Sequence, residues 1–290
     1  MQGFFYGWYM KCQSDMQTLA VIPAIHRAGN KCTCSIQIIT EDGAWIVSYS
    51  GNAFHRTGRS ITDGISIGKN RFGKNGIRLE IREPKLSVKG ILRFGPLSPL
   101  KYDIMGPFAM VPFLECRHSV WSMRHTVSGM VFINGKKYYF RNACGYWEGD
   151  SGRSFPKAYA WTQCFFEDGS LMLSVADIPI MGFHFIGVIG IVLWQGKEYR
   201  LATYLGAKAV MIEKGIIRIV QGDMDLEARL LDASGLQRNG RPLKAPTMGD
   251  MARTIHESAA CRAFYRFRKG KRTLFAFKTN GASFEYEYPV

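Results

Sequence analysis

Short turn signals set between apolar runs punctuate this chain from end to end, and they steer it towards antiparallel sheet. Glu41-Asp42-Gly43, Asn134-Gly135, Asp168-Gly169, Gln195-Gly196-Lys197 and Lys269-Gly270-Lys271 each lie between flanking runs rich in β-branched and aromatic residues. Glycine late in such a turn supplies the positive φ that tight hairpins require, and Asn-Gly is the strongest form of the signal. Strand-like runs spaced roughly every 8 to 12 residues predict a sandwich or barrel. An aromatic share of 13% with 31 glycines suits that class, because aromatics pack pleated faces and glycines make corners.

With 290 residues the chain can bury two ordinary cores, and its halves read as similar meanders. The expected architecture is all-β, two lipocalin-like antiparallel barrels side by side, with domains at 1–178 and 179–290. Pro242 to Gly249 reads as a loop and Met251 to Ala260 as one short helix, with Asp250 as its N-cap. Gly95 to Pro112 holds Pro96, Pro99, Pro107 and Pro112, as in a long connection that lies across a binding site.

The stretch richest in chemistry is Gly145 to Cys164, GYWEGDSGRSFPKAYAWTQC. Gly149, Gly152 and Pro156 argue that Glu148 to Pro156 is an irregular loop. Beyond it, Tyr159, Trp161 and Gln163 share one side of an extended segment, and Ala158, Ala160, Thr162 and Cys164 the other. Upstream, Glu115, His118 and His125 lie within eleven positions. Their spacing is neither HxH nor a helical HxxxH, which argues against a metal and leaves polar residues at a barrel rim or donors lining a cavity.

The formal charge is +15, from 38 basic and 23 acidic residues. Arg262, Arg266, Arg268, Lys269, Lys271, Arg272 and Lys278 alternate with aromatics and no acid intervenes, so one face of a basic hairpin is solvated. No recognition module accompanies it, which argues against nucleic acid and leaves contact with an anionic membrane surface as the charged partnership to test. Seven cysteines and an N-terminus without a basic leader or sustained apolar run read as reduced thiols in a cytoplasmic protein. The most apolar run, Ile178 to Trp194, contains Pro179 and three glycines and is too short to span a bilayer. Gly68 to Asn75 approaches a phosphate loop but ends on Asn75 where a hydroxyl is needed, and a strand-like run follows where a helix would be required.

These segments resemble the tocopherol cyclase-like family, a branch of the double-lipocalin proteins. The resemblance runs through GWYMK (7–11), ECRHSVWSM (115–123), EGDSGRSFPKAYAWTQC (148–164) and the stretch from Gly235 to Phe267. Plant cyclases of the family carry asparagine and tryptophan where this chain has Asp150 and Ser151. The resemblance implies two barrels, a large apolar pocket and a reaction that protonates an isoprenoid double bond, with no redox cofactor or metal. In that reading Glu148 or Asp150 is the acid and His118 or His125 the proton relay. Trp147, Tyr159 and Trp161 face the developing cation, while Gln163, Glu115 and Ser154 contact an apolar small-molecule substrate. Two alternatives stand beside it: acids that only brace their own loop through backbone amides and Arg153, and a non-catalytic carrier of an apolar ligand.

Overall fold

Alternation of apolar and polar residues builds this molecule almost entirely from strands. A computed structural model describes residues 3–60, 62–112, 114–180, 183–232 and 241–289. The first sheet comprises β1 (Phe4–Gln13), β2 (Thr18–Ala28), β3 (Lys31–Thr40), β4 (Ala44–Ser50), β5 (Phe54–Arg56), β6 (Ile65–Ile67), β7 (Asn70–Gly73), β8 (Gly76–Glu83), β9 (Leu86–Phe94), β10 (Cys116–Ile133) and β11 (Lys136–Gly152). The second comprises β12 (Tyr159–Phe166), β13 (Gly169–Ile180), β14 (Phe183–Trp194), β15 (Lys197–Ala202), β16 (Lys208–Glu213), β17 (Ile216–Gln221), β18 (Met224–Leu230), β19 (Arg241–Thr247), β20 (Asp250–Lys269) and β21 (Arg272–Tyr286).

Both sheets follow one plan. Each is a meander in which the first strand pairs with the last, β1 with β11 and β12 with β21. Each leaves a single seam after its fourth strand, between β4 and β5 and between β15 and β16. The seam strands are consecutive in the chain, joined by the 3-10 turn Gly51–Ala53 in the first sheet and by the 3-10 turn Thr203–Leu205 with Gly206 and Ala207 in the second. A short link between opposite edges forces each sheet to roll up, as an up-and-down barrel does. Side chains bridge the seams where the ladder does not. Asn70 Nδ2 donates to Tyr49 Oη at 3.4 Å in the first. In the second, Gln221 accepts the Ala202 N–H at 2.9 Å and donates to the Arg200 carbonyl at 3.0 Å.

Inward residues line each barrel. Trp8, Met10, Ile36, Ile38, Leu79, Val88, Phe140 and Trp147 belong to the first core, and Leu171, Leu173, Ile217, Tyr265, Phe267 and Phe284 to the second. The Asn134-Gly135 hairpin joins β10 to β11 as its sequence requires, with φ of 49° and 86°.

Three expectations need correction. Met251 to Ala260 is strand, the start of β20, and among the described residues the only helical turns are 3-10. Alanine, methionine and glutamate favour helix locally, but Ile255, Glu257 and Ala259 are buried at every second position and tertiary pairing decides. Pro242 to Gly249 is β19 and a turn in which Met248 (φ 51°) and Gly249 (φ 81°) do what Asn-Gly does elsewhere. Finally, the chain leaves the first sheet at Gly152 and enters the second at Tyr159, so the boundary at 178 falls inside β13. β12 must lie in the second barrel because it pairs with the last strand. The two compact units are residues 1–101, 118–154 and 245–253, and residues 102–117, 155–244 and 254–290.

Candidate active site

Residues 145–150 carry two kinds of chemistry on two faces of one strand. Glu148 to Gly152 are not a loop: they extend β11 against β1, with Tyr9 opposite Glu148, Trp8 opposite Gly149 and Gly7 opposite Asp150. Asn142, at φ 50°, interrupts the alternation of β11, so the inward set passes from Tyr138 and Phe140 to Ala143 and Trp147. Gly145, Trp147 and Gly149 therefore face the barrel interior, and Tyr146, Glu148 and Asp150 face the other way. The glycines answer to close packing rather than to a turn. A Cβ on Gly149 would stand 2.6 Å from the Trp121 ring, and one on Gly145 2.3 Å from His125 Nε2.

On the acid face, His118 of β10 bridges both carboxylates. Its Nδ1 lies 2.8 Å from Asp150 Oδ1 and its Nε2 3.0 Å from Glu148 Oε2. Tyr146 donates its hydroxyl hydrogen to Glu148 Oε2 in a short hydrogen bond. Burial works to lower the His118 pKa, but the Glu148 and Asp150 carboxylates outweigh it and raise the imidazole to about 10. His118 is thus an imidazolium at neutral pH. Burial, then the Glu148 charge, holds the Tyr146 phenol well above its ordinary value. Access to water is graded: the side chain of Asp150 is 23% exposed, against 9% for His118 and 5% for Glu148. The contacts thus run from the partly exposed Asp150 through the imidazole to the buried Glu148.

His125 stands apart from this cluster. It lies in the barrel interior with Nδ1 2.9 Å from Ser122 Oγ and its ring 4.4 Å from Phe94, and burial drops its pKa to about 4. Trp147 likewise packs inward, 5.2 Å from Trp121, so it faces away from the acids instead of towards a cation formed beside them. Glu115 is exposed ahead of β10. Ser154 fixes the chain after β11, accepting the Met248 N–H at 2.9 Å.

Tyr159, Trp161 and Gln163 belong to β12 in the second unit, all three buried. They lie on the face opposite Ala160 and Cys164, which fill that barrel. Tyr159 donates to Glu285 Oε2 at 2.5 Å, and Glu285 is directly opposite both Trp161 and Glu257. Gln163 is fully buried with no hydrogen-bond partner for either side-chain polar atom among the described residues. The basic hairpin is partly neutralised by its own sheet, since Arg266 pairs with Glu227 at 2.7 Å and Lys269 with Asp223 at 2.9 Å.

Sequence reasoning missed Tyr146 and Tyr9. Both follow once residues 145–152 are read as strand, because Tyr146 shares parity with Glu148 and Tyr9 is its partner on β1. Among the described residues no cluster of three or more His, Cys, Asp or Glu is arranged to hold a metal ion, and no helix is long and apolar enough to cross a membrane. Among the described residues no disulfide joins any of the cysteines.

The model of the tocopherol cyclase-like family matches residues 53–285. A search of curated sequences returns no match. Among solved structures, an AttH protein from Nitrosomonas europaea superposes with a TM-score of 0.54 at 10% identity, covering 100% of this chain and 93% of its own. Kievitone hydratase from Nectria haematococca gives 0.53 at 9% identity over 98% and 89% of the two chains. CghA in complex with Sch210972 gives 0.59 at 7% identity over 98% and 88%. At these identities the likeness is one of fold, two lipocalin-like barrels in one chain.

Proposed function

Because the chain belongs to the tocopherol cyclase-like family, we propose that it is a cofactor-independent enzyme that cyclises or isomerises a prenylated quinol or another isoprenoid or lipid by acid catalysis. The observation that carries this reading is a buried imidazole held between two carboxylates, His118 with Glu148 and Asp150. Glu148, least exposed of the three, receives the His118 proton and passes it to one carbon of a substrate double bond. The π pair becomes the new C–H bond, and a tertiary cation is left on the other carbon. Tyr9 and Tyr146 flank Glu148 on that face and supply the aromatic neighbours that Trp147 does not. When the quinol oxygen closes on the cation, its proton returns to the Glu148 carboxylate, so atoms balance and no electrons are exchanged. Asp150 restores any proton lost to solvent. Kievitone hydratase, by its name, adds water to an organic substrate on the same fold, which is consistent with proton-driven chemistry here.

The test is turnover of a prenylated quinol by Glu148→Gln and His118→Gln. Loss of a general acid costs about 10²–10⁴-fold in rate; wild-type rates in both variants would remove the reading. The second reading, a carrier of an apolar ligand, is favoured by the aromatic interior of the first barrel. It predicts that substrate binds and is recovered unchanged.

A further inference from the structure

Barrel interiors pair nearly all of their polar atoms, so exceptions call for a partner. Three lie in the first barrel. Trp8 Nε1, Trp147 Nε1 and His125 Nε2 have no hydrogen-bond partner among the described residues, although these residues are 1%, 1% and 4% exposed. They are neighbours: Trp8 pairs with Gly149 and Met10 with Trp147, so the two indoles are diagonal across β1 and β11. His125 Nε2 lies against Gly145, two residues before Trp147.

All three groups are donors. An indole nitrogen can only donate. For His125, Ser122 is fully buried and its hydroxyl hydrogen finds no acceptor among the described residues other than His125 Nδ1, 2.9 Å away, so the serine donates there and the imidazole hydrogen sits on Nε2. The walls are aromatic: Trp121 beside Trp147, Phe94 beside His125, and Tyr6 at 4.5 Å and Phe54 at 6.1 Å from Trp8.

We propose that the interior of the first barrel binds an apolar ketone or quinone, its carbonyl oxygen accepting hydrogen bonds from Trp8, Trp147 and His125. An alcohol of the same skeleton would bring a hydrogen that finds no acceptor among these groups, and a carboxylate would have to shed its hydration with no cation among them. The site lies on the face of β11 opposite Glu148, so it does not rest on the acid reading.

The experiment titrates the full-length protein with β-ionone and, separately, with β-ionol, following the indole ¹H–¹⁵N cross-peaks assigned from Trp8→Phe and Trp147→Phe. Saturable movement of both peaks with the ketone, at least tenfold weaker binding of the alcohol, and the same ketone affinity in Glu148→Gln are expected. Stationary peaks, which would leave ordered water as the partner of the three donors, or equal affinity for ketone and alcohol, would overturn the proposal. The ketone and alcohol comparison uses the unaltered protein, so it stands even where a tryptophan variant does not fold. A protein that binds the ketone but turns over no quinol would remove the proposed function and leave this site intact.

Discussion

Replacing His118 by glutamine should change how stability depends on pH, and the change can be worked from the site. In the folded protein the imidazole is held at about 10 by its two carboxylate neighbours, while an unfolded chain releases the same proton near the ordinary value of about 6.5. A raised folded value means that the folded state holds the extra proton throughout that window. The contribution is therefore fully present below about pH 6.5 and is lost as pH rises through about 10. Inside the window, one proton of difference amounts to about 1.4 kcal/mol per pH unit. Urea unfolding of wild type and His118→Gln at pH 7, 8 and 9 reads it, because titrating groups away from the His118 cluster cancel in the difference. The wild-type advantage should shrink by roughly 3 kcal/mol between pH 7 and 9. A difference that stays flat would mean that His118 is neutral in the folded state, and the proton store beside Glu148 would not exist.

Other outcomes follow from the same geometry. His125 runs the opposite way: burial lowers it to about 4, so from pH 6.5 down to 4 wild type should lose about 1.4 kcal/mol per unit relative to His125→Phe. Parallel acid-unfolding curves would contradict this. Gly149→Ala should destabilise by about 2 kcal/mol in urea, because its Cβ would meet the Gly7 carbonyl at 2.5 Å as well as the Trp121 ring; an unchanged midpoint would refute the close approach. Gln163→Leu should raise the melting temperature, since it removes a buried amide whose oxygen and nitrogen both lack partners among the described residues, an unsatisfied buried group costing about 1–3 kcal/mol. A lower melting temperature would show that the amide is satisfied by water or ligand.

Strands and hairpins were legible wherever turn chemistry was explicit, as at Asn134-Gly135 and Asp168-Gly169. They were not legible where ordinary residues took the turn, as at Met248-Gly249, or where helix-favouring residues lay in a strand, as from Met251 to Ala260. Glu148 and Asp150 were recognisable as a pair two residues apart. Their union with His118 was not: counting outward from Ile133 and Lys136 sets His118 opposite Ser151, on the face away from both acids, and only the interruption of β11 at Asn142 turns the acids towards the imidazole. The opposed directions of Trp147 and Glu148 stayed hidden because Gly149 and Gly152 argue for a loop, whereas Gly149 makes room for a tryptophan ring against a continuous strand.

In the proposed reaction a proton from the His118–Glu148 pair ends on a substrate carbon. Mass spectrometry of the product formed from a prenylated quinol in D₂O tests it most directly. A cyclised product carrying one deuterium at a non-exchangeable carbon, formed by wild type and lost in Glu148→Gln, is the expected result. Unlabelled product, or labelled product formed at the wild-type rate by Glu148→Gln, would contradict it.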